Sequence, residues 1–162
     1  MIQRIQSVFL LLVAVIMVAI LFLPFWNKID LETMEAVKLN AFNLNHVQLA
    51  TDGSETIMAS KPTYWISVLA IIAAGVALFS IFQFKNRLLQ MKLGALNSLV
   101  MAGSLGFSYY YSTVGDQLVK PETIGQFQIG FYIIAAALLF NSLANRFIRR
   151  DDRLVKSADR IR

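Results

Sequence analysis

Hydrophobic residues make up 57% of the 162-residue chain and its mean hydropathy is +0.59. That is too apolar for an ordinary soluble domain, in which about 45–50% is usual, so a single membrane domain over 1–162 is expected. The absence of cysteine excludes disulfides, iron–sulfur clusters and thiolate zinc sites. A net charge of +5 and a pI near 9.7 would suit nucleic acid, but the placement of the charges along the chain decides that question.

Arg4 precedes a run over 5–25 that holds no ionisable side chain. At 1.5 Å per residue such a helix reaches about 31 Å, the thickness of a bilayer's hydrocarbon core. A secretory signal would show a shorter apolar core and a small-x-small cleavage site. This run ends instead in Leu23, Pro24, Phe25 and Trp26, so an uncleaved anchor is expected.

The hydrophilic segment 27–63 follows. Val37, Leu39 and Ala41, then Phe42, Leu44, Val47 and Leu49, alternate with polar residues through one change of phase, which predicts a strand with a bulge near Ala41. Thr51, Asp52, Gly53 and Ser54 form a turn signal, and Thr56 to Ala59 would return as the partner strand of a small hairpin. Two strands alone are marginal in water, so the hairpin must lean on helix ends or on another protein.

The second predicted span is 64–84, with Pro62 where a helix can begin and Ala70, Ala73, Ala74 and Ala77 as close-packing positions. A tight basic turn leads to the third span, 93–113. There Gly94, Ser98, Ala102 and Gly106 place a small side chain at every fourth residue, a strip against which other helices would pack. A connector follows in which Pro121 and Glu122 suit a helix start. The fourth span, 124–146, runs into a charged tail over 147–162. The expected fold is an all-α integral membrane protein, a four-transmembrane-helix bundle around the third span with a small β-hairpin in the first loop.

Lys and Arg are sorted by loop. Arg4, Lys85, Arg87, Lys92, Arg146, Arg149, Arg150, Arg153, Lys156, Arg160 and Arg162 fall on one side, whereas Lys28, Lys38, Lys61 and Lys120 fall on the other. The positive-inside tendency places both termini in the cytoplasm. Trp26, Tyr64, Trp65 and Tyr109 to Tyr111 would then gather at the outer interface, where amphipathic rings are favoured. Topology thus accounts for the basic pI, and no nucleic-acid partner is expected.

The opening Met1 to Gln6, the turn Phe84 to Leu93 (FKNRLLQMKL) and the ending Leu143 to Arg162 (LANRFIRRDDRLVKSADRIR) resemble a family of small four-span inner-membrane proteins of the Bacteroidota, a domain of unknown function (family 4293). The resemblance covers the whole chain in layout, with its sharp motifs on the cytoplasmic side. It implies a multi-pass protein of the bacterial inner membrane and carries no activity, cofactor or site residue.

Little in the chain points to chemistry. Between their interfacial ends the four spans hold no Asp, Glu, Lys, Arg or His, which argues against a proton-coupled transporter. Gln83, Asn97, Asn141 and Asn145, with Gln6, Ser7, Ser80, Ser98 and Ser142, lie at similar depth in the cytoplasmic leaflet. They form a polar layer that serves either as a pocket or as interhelical hydrogen bonding at about 0.6 kcal/mol per bond. His46, alone among Asn43, Asn45 and Gln48, does not make a metal site and is expected as a solvated loop side chain. Asp30, Glu32 and Glu35 form an acidic cluster without a basic partner. No phosphate loop, nucleophile elbow, HExxH motif or carboxylate pair stands out, so neither an enzyme nor a cofactor is expected.

The tail is the chemically richest stretch. As a helix it would align Phe147, Leu154, Ala158 and Ile161 between flanking cations Arg146, Arg149, Arg150, Arg153, Lys156, Arg160 and Arg162, a surface for anionic lipid or for a protein. The leading expectation is a non-enzymatic accessory or partner-binding membrane protein, whose partners are membrane lipids and another membrane protein. The alternative is a small channel or carrier with an amide- and hydroxyl-lined path.

Overall fold

A computed structural model describes residues 2–50, 53–84, 86–120 and 123–159, without the side chains of 2–4 and 156–159. The first helix, α1 (Ile2–Ala19), tightens into a 3-10 turn (Ile20–Phe22) just before Pro24, which cannot donate a helical hydrogen bond. The freed backbone is taken up at once by neighbours. Phe25 N–H donates to the Leu39 carbonyl, and the Pro24 and Phe25 carbonyls accept from Gly130 and Gln128.

Four strands follow, β1 (Trp26–Asp30), β2 (Glu35–Leu39), β3 (Asn43–Leu49) and β4 (Glu55–Pro62), and β5 (Gln126–Phe127) joins them from between the last two helices. They form an antiparallel sheet ordered β4-β3-β2-β1-β5. The expectation of an all-α bundle with one small hairpin is therefore corrected, because five strands make a full sheet. The stretch expected to be one bulged strand is two, β2 and β3, paired Leu39 to Leu44 about a turn over Asn40 to Asn43, where Asn40 N–H donates to the Asn43 carbonyl. Ala41 sits in that turn, and the bulge falls between β3 and β4, where His46 and Val47 face Ala59 and Ile57 and leave Met58 unmatched. The returning strand extends beyond Thr56 to Ala59. The turn residues Thr51 and Asp52, like Lys85, Pro121, Glu122, Arg160, Ile161 and Arg162, lie outside the described residues.

The helices α2 (Tyr64–Phe82), α3 (Arg87–Asp116) and α4 (Ile129–Asp159) complete the molecule. α4 begins beyond Ile124, the expected start of the fourth span, because β5 occupies Gln126 and Phe127; at its other end it carries the tail to Asp159 without a break. Asn86 caps α3 by accepting the Leu89 N–H at 3.1 Å, satisfying one of the helix's orphan donors.

Each helix buries one seam spaced alternately by three and four residues. On α1 and the 3-10 turn that continues it, the seam is Gln6, Leu10, Val13, Met17 and Ile20. Ile66, Ala70, Ala73, Ala77 and Ser80 form the seam of α2, and Gln90, Gly94, Asn97, Met101, Ser104 and Ser108 that of α3. On α4 it is Ile134, Ala137, Asn141, Ala144 and Ile148. This is the repeat that keeps one face turned to a neighbour along a nearly parallel pair. α1 packs between α2 and α4, and α3 packs against both α2 and α4.

The seams are rich in small and polar residues, while Leu11, Val15, Ile71, Phe79, Phe82, Leu99 and Leu139 face outward. Among the described residues, three helical stretches are long and apolar enough to cross a membrane: Ile5–Phe22, Tyr64–Phe82 and Ile129–Val155. α3 is absent from that set because its seam spends hydropathy on amides and hydroxyls.

The sheet caps the helices at one end. Gly115, near the end of α3, lies on its inner face, where a Cβ would come within 2.9 Å of Trp26, 3.1 Å of Leu44 and 3.2 Å of Val37. Trp26 and Tyr111 are consequently buried, whereas Tyr64, Trp65, Tyr109 and Tyr110 are exposed.

Candidate functional site

The polar residues that the sequence singles out meet most closely between α3 and α4. Asn141 donates from Nδ2 to the Gly94 carbonyl at 2.7 Å and to Ser98 Oγ at 2.8 Å, and Ser98 in turn donates to the Gly94 carbonyl at 3.1 Å. Gly94 and Asn145 are in such close approach that a Cβ at position 94 would overlap the Asn145 amide. Of the predicted strip, Gly94 is buried and Ser98 half-buried, while Ala102 and Gly106 are exposed and Gly106 meets nothing. The cause is geometric. A four-residue step overshoots a turn by about 40°, so a strip of fourth residues winds off the contact face, whereas alternating steps of three and four stay on it.

Of the predicted polar layer, Asn97 and Asn141 are buried and Asn145 and Gln83 half-buried. Gln83 sits at the C-terminus of α2, its N–H donating to the Ser80 carbonyl. Gln90, which the sequence reading passed over, is also fully buried and donates from Nε2 to that same carbonyl at 3.0 Å. Asn97 makes no side-chain hydrogen bond among the described residues, and Gln6 Oε1, Gln90 Oε1 and Asn141 Oδ1 accept none there. Buried amide atoms in this state carry a desolvation penalty without return.

Beside the seam opens a groove of about 1190 Å³. Ala95 and Ser98 of α3 form one wall, and Ser142, Asn145, Arg146, Arg149, Arg150 and Arg153 of α4 the other. The arginine spacing places all four on one side of the helix. None of them makes an ion pair among the described residues. The nearby carboxylate of Asp151 pairs instead with Arg87 at 3.1 Å, and Arg87 also donates to the Asp151 carbonyl, tying the start of α3 to the tail. Phe147 stacks on Phe9 of α1 with ring centroids 5.6 Å apart, whereas Leu154 is exposed and edges the groove. The side chains of Lys156 and Ala158 are outside the description, as are Arg160, Ile161 and Arg162 altogether.

At the sheet end three of the four lysines have carboxylate partners. The Lys28 side chain has no solvent exposure and donates to Asp116 Oδ1 and to the Asp116 carbonyl, both at 2.9 Å, and to the Val119 carbonyl at 3.4 Å. Lys38 pairs with Glu55, and Lys120 with Glu32 at 3.2 Å. Glu35 meets His46 Nε2 at 3.2 Å, so His46 is a half-buried strand residue with a carboxylate neighbour, not a solvated loop side chain. The acidic cluster thus has basic partners after all. Asp30 Oδ1 accepts the Glu32 N–H and Oδ2 the Thr33 hydroxyl, both at 2.9 Å. The Glu32 N–H, opposed by burial and helped by Thr33, holds the Asp30 carboxyl below the usual aspartate range. Among the described residues no group of three or more His, Cys, Asp or Glu could hold a metal ion.

No curated protein matches the chain. Residues 2–161 do match one family throughout, and the chain therefore belongs to the Domain of unknown function (DUF4293) family.

Proposed function

We propose that the chain is a non-enzymatic protein of the bacterial inner membrane, crossing it four times with both termini in the cytoplasm, and that it serves as an accessory subunit holding an extended segment of another membrane protein along β4. Large apolar side chains face outward on all four helices, and on α2, α3 and α4 much of the buried seam is small or polar, a departure from the water-soluble arrangement and one that suits lipid. α3 qualifies as the fourth crossing on this account. Its 30 residues are long enough, and its polar side chains lie on the buried seam while Leu96 and Leu99 face out. Charge sorting gives the direction. Segments 26–63 and 114–128 carry seven carboxylates against four lysines, and the remainder carries eleven Lys and Arg against three aspartates.

The observation that carries the partner-binding role is the open edge of β4. All eight of its residues are exposed, and among the described residues β3 alone pairs with it in the sheet. Such an edge is a template for strand addition unless it is protected. Glu55 and Lys61 guard its ends, but Ile57 and Met58 in the middle are 66% and 54% exposed. Ile57 also closes a cross-strand row with Ile29, Ala36 and Val47 on the face turned away from α3. Photo-crosslinkers placed at Met58 and Ser60 in cells should give one discrete adduct that Ile57→Lys abolishes. Failure of every β4 position to crosslink, with the protein correctly folded, would count against the role.

A second reading, a small channel or carrier, is favoured by Asn97 alone, whose buried amide has no partner among the described residues. Liposomes containing the protein would then pass a solute, and Asn97→Leu would stop it.

A further inference from the structure

We infer that the groove between α3 and α4 binds the phosphodiester headgroup of an anionic phospholipid. Four guanidinium groups share one wall of this groove and stand without carboxylate partners among the described residues. Three of the four lysines at the sheet end, Lys28, Lys38 and Lys120, by contrast each have an acid. Like charges held on a single helix face repel, and an anion delivered between them removes the repulsion. The planar fork of arginine matches phosphate oxygens two at a time, which an ammonium cannot do. Ser142, exposed on the same wall, supplies a hydroxyl to the same oxygens.

The source of the phosphate follows from what borders the groove. Beyond Ser98 and Ser142 the same two helices present Leu99 at 72% and Leu139 at 67% exposure, an apolar wall on which acyl chains lie. A soluble phosphate has no use for it. The site rests on the membrane reading above but not on the role given to β4, which lies at the sheet end.

The full chain, purified in mild detergent, is examined by native mass spectrometry with phosphatidylglycerol, phosphatidylethanolamine and inorganic phosphate. Phosphatidylglycerol should be retained about tenfold better than phosphatidylethanolamine, and Arg149→Gln/Arg153→Gln should lower its retention by roughly 25-fold, about fivefold per arginine. Lys38→Gln/Lys120→Gln removes the same charge at the sheet end, away from the groove, and should stay within about twofold of the parent. The single variants Arg149→Gln and Arg153→Gln, at exposed positions, keep the test in force if the double variant does not fold. Equal losses in both double variants, no preference for the anionic lipid, or displacement of the lipid by millimolar phosphate would each overturn the inference. None of these results would touch the four crossings, which labelling from the two sides of the membrane reads separately.

Discussion

Lys28 on β1 and Asp116 at the end of α3, 88 residues apart, are joined at 2.9 Å by an ammonium group with no solvent exposure. The same ammonium donates to the Asp116 carbonyl, in the last turn of α3, and to the Val119 carbonyl just beyond it, where a helix leaves its carbonyls unpaired and the macrodipole is negative. The contact therefore fastens the sheet to the helices. Lys28→Met should lower stability by about 1.5–3 kcal/mol, the range for hydrogen bonds to a charged group. Asp116→Asn leaves the buried ammonium with carbonyls alone and should also destabilise. Because each single variant strands part of the same contact, the double variant should lose less than the sum, with a coupling of about 1–3 kcal/mol. Denaturant unfolding in detergent measures all three.

Gly94 and Gly106 should respond in opposite ways to alanine. A Cβ at Gly94 meets the Asn145 amide, whereas one at Gly106 meets nothing. Gly94→Ala should cost about 1–3 kcal/mol through overpacking, and Gly106→Ala should be neutral or stabilise by up to about 1 kcal/mol through helix propensity. Thermal unfolding of the two variants decides it, and equal effects would contradict the packing described.

Asn141 and Asn97 are both buried asparagines but are not equivalent. Asn141→Leu removes two hydrogen bonds to α3 and should destabilise by about 0.6–1.7 kcal/mol. Asn97→Leu removes an amide without partners among the described residues and should be neutral or stabilising. If Asn97→Leu instead costs more than Asn141→Leu, the Asn97 amide has a ligand.

Asp30 should make the sheet sensitive to strong acid only. Its carboxyl, held below the usual range first by the Glu32 N–H, contributes stability that is fully present above the ordinary aspartate range. That contribution is lost as pH falls through the range and below it. Unfolding profiles of the parent and Asp30→Asn should therefore differ at neutral pH and converge in acid.

How far the sequence reveals this molecule depends on the range of the interactions. The alanines of α2 at 70, 73, 74 and 77 mark a buried face from sequence because their own spacing defines it, and all four are buried. β1 is not legible in the same way. Lys28 and Asp30 stand at positions where a half-buried strand should show apolar residues, and what satisfies Lys28 arrives from the far end of α3. β5 has two residues and exists as a strand through β1 alone. On α3 the run of small residues is legible and starts on the contact face at Gly94 and Ser98, but it winds off that face by Ala102 and Gly106, since packing follows the alternating step and not the fourth residue. The arginines are legible as a charged tail. That α4 continues unbroken and sets them beside Ser98 of α3 depends on tertiary packing and has no local signature.

The central claim is that sheet and arginine groove lie on opposite sides of a membrane. The chain lacks cysteine, so a single thiol placed at Ser60→Cys on β4 or at Val155→Cys on α4 can be read without background, both positions being exposed. With a membrane-impermeant maleimide, the thiol at position 60 should label in intact spheroplasts and the thiol at position 155 only after permeabilisation. Labelling of position 155 in intact spheroplasts, or identical behaviour of the two positions, would contradict the account.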